Sequence, residues 1–235
     1  MCGLVWGSGK IGTSELFGPF NEIENKFAPK WLYISGHIEI AKTNPKVSVV
    51  GSRKPTKDGL KNTEKVVEFL LERDSIIVSG LAYGIDTMAH KTAIKNSGKT
   101  IAVLGTPINN FYPKENTSLQ KEIMRNHLAI SQFETGTPIR PKNFPIRNRT
   151  MALISNATII VEAQDGSGSI SQGWEALRLG RPLFILDSIV ENKKLKWPYE
   201  MLKYGAEIVQ LEYIFESFEL LPPPGRLDVN VILNT

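Results

Sequence analysis

The sequence predicts an α/β protein with a doubly wound, mostly parallel sheet and helices on both faces, a three-layer α/β/α arrangement. Two observations lead to this fold class. Short apolar runs alternate along the chain with stretches that show helical spacing over about 10–15 residues. Several of these runs, including Val47–Val50 and Ala157–Glu162, are continuous and rich in β-branched residues, as expected of strands buried on both faces of a parallel sheet.

The first half of the chain begins with residues 1–25, which are rich in glycine and weakly patterned, so a loose arm is predicted there. Asp58 is placed to cap a helix over Thr63–Leu71, whose apolar residues recur at helical spacing. The next helix runs through Met88 and is expected to stop at Gly98. The strands predicted in this half are Trp31–Ile34, Val47–Val50, Ser75–Ser79 and Thr100–Leu104.

The second half continues the alternation. A long loop over Glu134–Pro145 contains three prolines, and Gly180 is predicted to end the third of its four helices. We therefore expect an arm over residues 1–25, one α/β domain over residues 26–212, and a tail over residues 213–235 with a short helix and an extended end. The predicted helices are Ser118–Asn126, Ile146–Ser155, Ile170–Leu179 and Tyr199–Tyr204, and the predicted strands are Ala129–Phe133, Ala157–Glu162, Pro182–Leu186 and Glu207–Val209.

Composition excludes several classes of protein. Charged residues make up 22% of the chain and hydrophobic ones 41%, which is typical of a globular protein with a core. No apolar run approaches the roughly 20 residues that cross a bilayer, and the N-terminus does not have the pattern of a signal peptide. Cys2 is the only cysteine, which fits a reducing cytoplasm. His37, His90 and His127 are scattered, so no metal site is predicted.

Four junctions between a strand and the following helix carry glycine, hydroxyl or guanidinium groups. A parallel sheet collects such junctions along its carboxyl edge, where ligands of open α/β sheets bind. Backbone N–H groups and guanidinium groups suit phosphate. The junctions therefore predict an anionic ligand, and no cofactor. Their residues are Gly51, Ser52, Arg53 and Lys54; Ser79, Gly80 and Gly84, followed by Asp86; Phe144, Arg147, Asn148 and Arg149; and Ser167, Gly168 and Ser169.

The distribution of charge supports this prediction. The net charge is +4, and no acidic residue occurs from Thr135 through Val161, a stretch that contains four basic side chains within ten positions. Phe144 lies beside two arginines and could stack on a base. Arg147 and Arg149 are two positions apart, about 200° around a helix. Only one of them is therefore expected to face the site, and Arg147 is favoured because it lies nearer the loop.

The same junctions lack the groups that catalysis would need. They contain no paired carboxylates, no Ser/His or Cys/His couple and no metal cluster. Asp86 is best interpreted as a residue at a helix start that the helix dipole favours. Glu162, at the end of a predicted strand, is the other carboxylate near the expected site. The sequence thus predicts binding without cleavage.

Several segments resemble, in order and spacing, the DNA-processing protein A family (DprA, also called Smf). The resemblance extends from about Phe27 to Val209, and upstream of the sheet Leu32-Tyr33 and Gly36 resemble the family's Leu-Tyr-x-x-Gly motif. The matching blocks cover residues 47–56, 78–90, 100–105, 112–116, 143–149 and 167–169. The fifth of these blocks begins with Asn143.

The resemblance implies an extended Rossmann-like fold that binds single-stranded DNA, usually as a homodimer, and helps to load a RecA-type recombinase in recombination or natural transformation. By position, the DNA phosphates would be bound by Gly51, Ser52 and Arg53, together with Arg147 and Arg149. The chain departs from the family pattern at residues 170–172, where Ile-Ser-Gln replaces Leu-x-Thr. About 25 residues on each side of the match leave too little sequence for the helical and winged-helix domains that flank it in other members.

Two alternatives remain open. One is a phosphoribohydrolase of the related LOG family, which acts on nucleoside monophosphates. The LOG motif has a glutamate where this chain has Gln172, and an amide cannot act as a general acid or base at neutral pH. Glu175 would point about 60° away on a helix. The other alternative is a domain that senses a nucleotide with the same pocket.

Overall fold

The computed structural model describes residues 8–43 and 45–211. Within them the nine strands, labelled β1 to β9 in chain order, are Ser8–Gly12, Trp31–Gly36, Lys46–Gly51, Ile76–Ser79, Thr100–Leu104, Leu128–Ser131, Ala157–Glu162, Leu183–Leu186 and Glu207–Val209. The helices, labelled α1 to α10, are Thr13–Phe17, Glu22–Phe27, Glu39–Lys42, Lys57–Leu71, Ile85–Lys95, Thr117–Asn126, Asn143–Ile154, Gly168–Arg178, Asp187–Val190 and Trp197–Lys203, and a 3₁₀ turn covers Lys114–Asn116.

The strands form one sheet in the order β1-β2-β6-β5-β4-β3-β7-β8-β9. All neighbours from β6 to β9 are parallel, whereas β1 and β2 add an antiparallel edge. The chain runs from β3 outward to β6, and α7 then returns it to β7 on the other side of β3. The strand order therefore reverses between β3 and β7, which is where open α/β sheets bind ligands. The predicted fold class is confirmed.

The core lies on both faces of the sheet. Neighbouring residues of β3 show this division, because successive side chains of a strand point to opposite faces. Val49 belongs to the buried cluster that contains Val66 of α4 and Ala89 of α5, whereas Val50 belongs to the cluster that contains Met151 of α7. Helices on both faces thus form the outer layers and position their own first turns at the carboxyl edge.

Residues 8–25 differ from the loose arm that was predicted. β1 pairs with β2 along its whole length, and α2 is held to the end of α8. Arg181 forms an ion pair with Glu24 at 2.5 Å, and the Arg178 guanidinium lies 3.7 Å from the centre of the Phe27 ring. A strand of Gly, Ser and Lys shows little apolar periodicity, so the sequence pattern could not reveal it. The predicted tail lies outside the described residues.

Helix boundaries also differ from the prediction. α4 begins six residues before Thr63, and its N-cap is Thr56, whose side chain accepts a hydrogen bond from the Gly59 N–H at 2.9 Å. The prediction that Asp58 is the cap was wrong, and Asp58 lies in the first turn instead. α7 begins at Asn143, three residues earlier than expected, because a proline fits the first turn of a helix.

Two further observations complete the fold. α5 ends at Lys95 and not at Gly98. Gly98 instead packs against Leu71, because a Cβ added to Gly98 would lie 2.3 Å from Leu71 Cδ2. In the part of the chain that the structure describes, no helix is both long enough and apolar enough to span a bilayer.

His90, fully buried on α5, predicts a pH dependence of stability. Its Nδ1 is 2.7 Å from Thr100 Oγ1, and burial lowers its pKa to about 3. The folded state therefore binds fewer protons than the unfolded state, so stability is lost as pH falls below about 6.5. We expect the free energy of unfolding to drop by up to about 1.4 kcal/mol per pH unit relative to His90→Asn, measured by urea denaturation between about pH 6 and 4. The exposed His37→Asn variant is the control, and a His90→Asn curve parallel to wild type would contradict the prediction.

Candidate functional site

A cleft of about 730 Å³ lies at the carboxyl edge, where the strand order reverses. All four of the predicted junctions contribute residues to its wall. A smaller cavity adjoins it and shares Arg53, Phe144 and Arg147 with it. The predicted residues that line the cleft are Gly51, Ser52, Arg53, Lys54, Phe144, Arg147, Asn148, Ser167, Gly168 and Ser169; Gly80 lines the smaller cavity.

The loop after β3 is held by its own backbone. The Ser52 N–H donates to the Glu162 carbonyl at 2.7 Å, and the Ser52 carbonyl accepts from the Ile85 N–H at 3.1 Å. The Ser52 hydroxyl accepts from the Lys54 N–H at 3.1 Å. These bonds leave the side chains of Arg53 and Lys54 exposed at the cleft. A Cβ on Gly51 would lie 2.6 Å from Ile85 Cγ1, so this glycine allows close packing within the protein.

Arg147 lies beneath the cleft, with only 4% of its surface exposed. Its Nη1 donates to the Val103 carbonyl at 2.9 Å, and a Cβ on Gly80 would lie 1.6 Å from that nitrogen. Burial lowers the pKa of Arg147, and the neighbouring carboxylate of Asp86 opposes this shift. Burial raises the pKa of Asp86, and Arg147 opposes that shift in turn. The two buried residues carry opposite charges, and each acts electrostatically on the other.

The loop after β4 has an unusual backbone that supports this pair. Leu81 has φ of +57°, a region that few residues other than glycine adopt, and the Ala82 N–H donates to Asp86 at 3.3 Å. Gly84 has φ of +77°, and a Cβ there would lie 2.3 Å from the Ser52 carbonyl oxygen. Ser79 is fully buried and donates to the Val49 carbonyl at 2.7 Å. Ser79 and Gly84 therefore shape the loops and do not line either cavity.

Aromatic residues from two loops and from the start of α7 surround the smaller cavity. The rings of Phe144 and Tyr112 are 5.6 Å apart, and the Arg53 guanidinium lies 5.7 Å from the centre of the Phe144 ring. Tyr83 donates to Glu115, which raises the pKa of the phenol to about 12. Sequence reasoning missed both tyrosines. The signal available for Tyr112 was its position beside Pro113 in a loop that follows a strand.

The start of α8 forms the other wall of the cleft. The Ser167 hydroxyl accepts from the Gln164 N–H at 3.1 Å, and Asn148 Nδ2 donates to the Gly168 carbonyl at 3.0 Å. Ser169 is 7% exposed, and its hydroxyl has no hydrogen-bond partner among the described residues. Buried hydroxyl groups normally have a partner, and this one is an exception among the described residues.

Two predicted residues face away from the cleft. Arg149 lies near Glu175, with Nε at 3.4 Å from the carboxylate, and its guanidinium is 5.3 Å from the Phe27 ring centre. Of the two arginines, Arg147 lines the cleft and Arg149 does not. Asn143 is buried and donates to the Pro138 carbonyl at 3.1 Å, which holds the loop before α7.

The other carboxylate considered, Glu162, is engaged in the protein itself. It accepts from the Thr56 N–H at 3.1 Å and from the Thr56 hydroxyl at 2.6 Å, at the start of α4. Gln172 is fully buried. In the orientation that satisfies both ends of its amide, it donates to the Asn148 carbonyl at 2.6 Å and accepts from the Ala152 N–H at 3.2 Å. Within residues 8–43 and 45–211, no group of three or more His, Cys, Asp or Glu could hold a metal ion.

Comparison with known proteins assigns the chain to a family. The model of the family described as DNA recombination-mediator protein A matches residues 19–219. The chain belongs to this family. The DNA processing protein DprA of Streptococcus pneumoniae is 40% identical over 191 residues, which cover 81% of this chain and 67% of that protein. The DprA of Bacillus subtilis is 31% identical over 190 residues, which cover 80% of this chain and 64% of that protein. The chain spans about half to two thirds of the length of the curated relatives it matches.

Solved structures of the family have the same fold. DprA from S. pneumoniae superimposes with a TM-score of 0.76 at 35% identity, over 86% of this chain and 71% of that one. DprA from Helicobacter pylori superimposes with a TM-score of 0.77 at 25% identity, over 92% of this chain and 97% of that one. The H. pylori structure concerns the single-stranded DNA binding mode of that protein. A molybdenum cofactor binding protein from Rippkaea orientalis, at 19% identity and a TM-score of 0.55 over 75% and 96%, shares the fold alone.

The buried pair predicts a large effect of Asp86→Asn on stability. The change leaves the Arg147 guanidinium buried without the nearby opposite charge, and the free energy of unfolding is expected to fall by about 1–3 kcal/mol. Urea denaturation measures this loss, with the exposed Asp165→Asn as the matched control. Equal stability of the two variants would show that Asp86 is not the partner of Arg147.

Proposed function

We propose that the chain binds single-stranded DNA without catalysis and assists recombinase loading in DNA uptake or recombination. The observation that carries the proposal is the cleft at the β3–β7 reversal, which combines exposed cations, an unpartnered hydroxyl and an aromatic pair. Proteins that bind single strands combine a positive groove with aromatic side chains on which bases stack. The family and the single-stranded DNA bound by the H. pylori relative support the same ligand.

The parts of the cleft have separate roles in this proposal. Arg53 and Lys54 are exposed and bind backbone phosphates, and the start of α8 offers further N–H donors. Phe144 and Tyr112 offer ring surface to a base, which has to be unpaired in order to stack. Arg147 is buried and donates to the Val103 carbonyl, so it forms part of the floor of the cleft.

The carboxylates near the cleft support a role without catalysis. Asp86 is paired with Arg147, and Glu162 accepts hydrogen bonds from Thr56. Gln172, at the position of the LOG glutamate, is buried with its amide in use. A hydrolase would need a free general base in contact with the substrate.

The assembly and partners are proposed from the family resemblance. We propose a homodimer that acts in the cytoplasm and contacts a RecA-type recombinase on the same DNA strand. Light scattering of the purified chain tests the dimer. Acceleration of recombinase filament formation on coated single strands tests the partner.

Arg53→Ala is expected to weaken binding of a labelled oligothymidine by about 1–3 kcal/mol, because it removes a charge-assisted phosphate contact. The slope of log affinity against log salt should fall by about 0.7, the value for one phosphate of a single strand. Fluorescence anisotropy over a range of salt concentrations measures both. Arg149→Ala removes the same charge on the far side of α7 and should leave affinity and slope unchanged. Equal losses in the two variants would indicate that overall charge, and not the cleft, binds the DNA.

No cleavage of nucleotides or DNA is expected. The chain is incubated with AMP and with single-stranded DNA, each with and without magnesium, and free base and shortened strands are quantified by chromatography and gel. Product that disappears in Glu162→Gln, or in Asp86→Asn while circular dichroism shows that variant still folded, would identify an enzyme and overturn the proposal. Asp165→Asn serves as the control for these variants.

A further inference from the structure

The antiparallel edge of the sheet, away from the cleft, presents an aromatic surface to solvent. Trp31 and Tyr33 of β2 alternate with Leu32 and Ile34, which are buried in the core on the other face of the sheet. Trp31 is 43% exposed and Tyr33 is half-buried, whereas Ser35, further along the same face, is fully buried. The cover that other elements give to this face of β2 therefore ends before Trp31.

Two lysines lie beside these rings, and with Trp31 and Tyr33 they form what is called here the Trp31 surface. Lys10 pairs with Tyr33 in the register of β1 and β2, and its ammonium is 5.2 Å from the centre of the Trp31 ring. The Lys30 ammonium is 5.7 Å from the same centre. Both lysines are exposed, and neither forms an ion pair with a carboxylate of the described residues. Aromatic side chains on an open sheet face, with cations beside them, are typical of surfaces on which unpaired bases stack.

Two carboxylates border the Trp31 surface. Burial and the neighbouring Glu134 raise the pKa of Tyr33. Glu15 lies against Gly12, which is the partner of Trp31 in the register of β1 and β2. The two glutamates balance the two lysines, so the surface has little net charge of its own. Stacking on the ring, which needs no net charge, is therefore the interaction that this surface offers to a nucleic acid.

The Trp31 surface lies at the same end of the strands as the cleft. Tyr33 pairs with Ser131, the last residue of β6, so Trp31 extends beyond the carboxyl end of that parallel strand. In the sheet, β6, β5 and β4 separate β2 from β3. At about 4.8 Å per strand, β2 and β3 are about 19 Å apart. A nucleic acid strand rises about 3.4 Å per stacked nucleotide, so about six nucleotides cover this distance, and fewer if the strand is extended.

The segment over residues 132–142 connects the two places. Glu134, near its start, is beside Tyr33, and Pro141, near its end, lines the cleft. Arg140 and Lys142 of the same segment are exposed, and within the described part of the chain neither forms an ion pair with a carboxylate. A strand that leaves the cleft towards β2 would thus pass a basic segment before it reaches the Trp31 ring.

We propose that a single strand bound in the cleft continues across the ends of β4, β5 and β6 and stacks one of its bases on Trp31. The proposal rests on the proposed function, since it takes the ligand of the cleft to be a nucleic acid strand. Lys10 and Lys30 lie beside the sugar and phosphate groups that flank the stacked base. Two contacts on one strand raise the affinity only of oligonucleotides that are long enough to reach both.

The test measures, by fluorescence anisotropy, the binding of labelled oligothymidines of about 3 and about 12 nucleotides, of which only the longer can span both contacts. The wild-type chain should bind the longer oligomer more tightly. Trp31→Ala should weaken the longer oligomer by about tenfold, the effect of losing one stacked base, and leave the shorter one unchanged. Trp31→Phe keeps a ring and should retain most of the affinity. Arg53→Ala should weaken both oligomers.

A spectroscopic measurement tests the stacking itself. A base that stacks on an indole quenches the fluorescence of that indole. Addition of the longer oligothymidine should therefore lower the tryptophan emission of the wild-type chain more than that of Trp31→Phe. The shorter oligothymidine should lower the emission of the two chains equally, because it does not reach Trp31.

Matched controls separate binding from folding. Tyr204 is an exposed aromatic residue at the end of α10, just before β9 at the opposite end of the sheet, so Tyr204→Ala should bind both oligomers as the wild-type chain does. Trp31 belongs to none of the buried core clusters, so both Trp31 variants should remain folded at the assay temperature. Thermal melting followed by circular dichroism measures this.

The outcomes distinguish this inference from the proposed function. Equal losses for both oligomers in Trp31→Ala would mean that Trp31 acts through the fold or the cleft, which overturns the inference and leaves the proposed function in place. Unchanged binding of the longer oligomer in Trp31→Ala would have the same consequence. A wild-type chain that binds no oligothymidine of either length would overturn the proposed function itself.

Discussion

One buried electrostatic interaction, between the oppositely charged side chains of Arg147 and Asp86, lies beneath the site. A guanidinium at this depth requires a counter-charge, and a carboxylate at this depth requires a cation. The pair brings together α7 and α5, which cover opposite faces of the sheet, at its carboxyl edge. Gly80 leaves the space for the guanidinium, and the unusual backbone at Leu81 turns the loop so that the Ala82 N–H meets Asp86. The exposed side chains of Arg53 and Lys54 line the same cleft.

The central strands of the sheet were predictable from the sequence because they are buried on both faces. Of these, Thr100–Leu104 and Ala157–Glu162 have the predicted bounds, as does the edge strand Glu207–Val209. The elements that the sequence did not predict correctly share a physical cause. Their bounds depend on residues that are distant along the chain. β1 exists because it pairs with β2, although its own residues show little pattern. α4 starts early because Glu162, distant in sequence, accepts hydrogen bonds from Thr56 and stabilises the first turn.

The candidate site was predictable in its location and less so in its details. Placing phosphate-binding groups at the ends of parallel strands needs only the order of elements, and this part could be derived. Helix geometry also predicted that Arg149 lies on a different side of α7 from Arg147. The burial of Ser79, the pairing of Tyr112 with Phe144 and the unpartnered hydroxyl of Ser169 depend on how loops from separate strands meet. No local pattern encodes those contacts.

The glycines around the cleft affect how mutational surveys of this family are interpreted. At Gly51, Gly80 and Gly84 an added methyl group would collide with the protein's own atoms. A substitution there would disturb the scaffold, and loss of activity would say nothing about contact with a ligand. Gly168 is different, because an added methyl group would meet only open space. Two glycines that a screen finds equally intolerant of substitution can therefore differ in cause. At Gly80 the added methyl group collides with the protein, whereas at Gly168 it projects into open space.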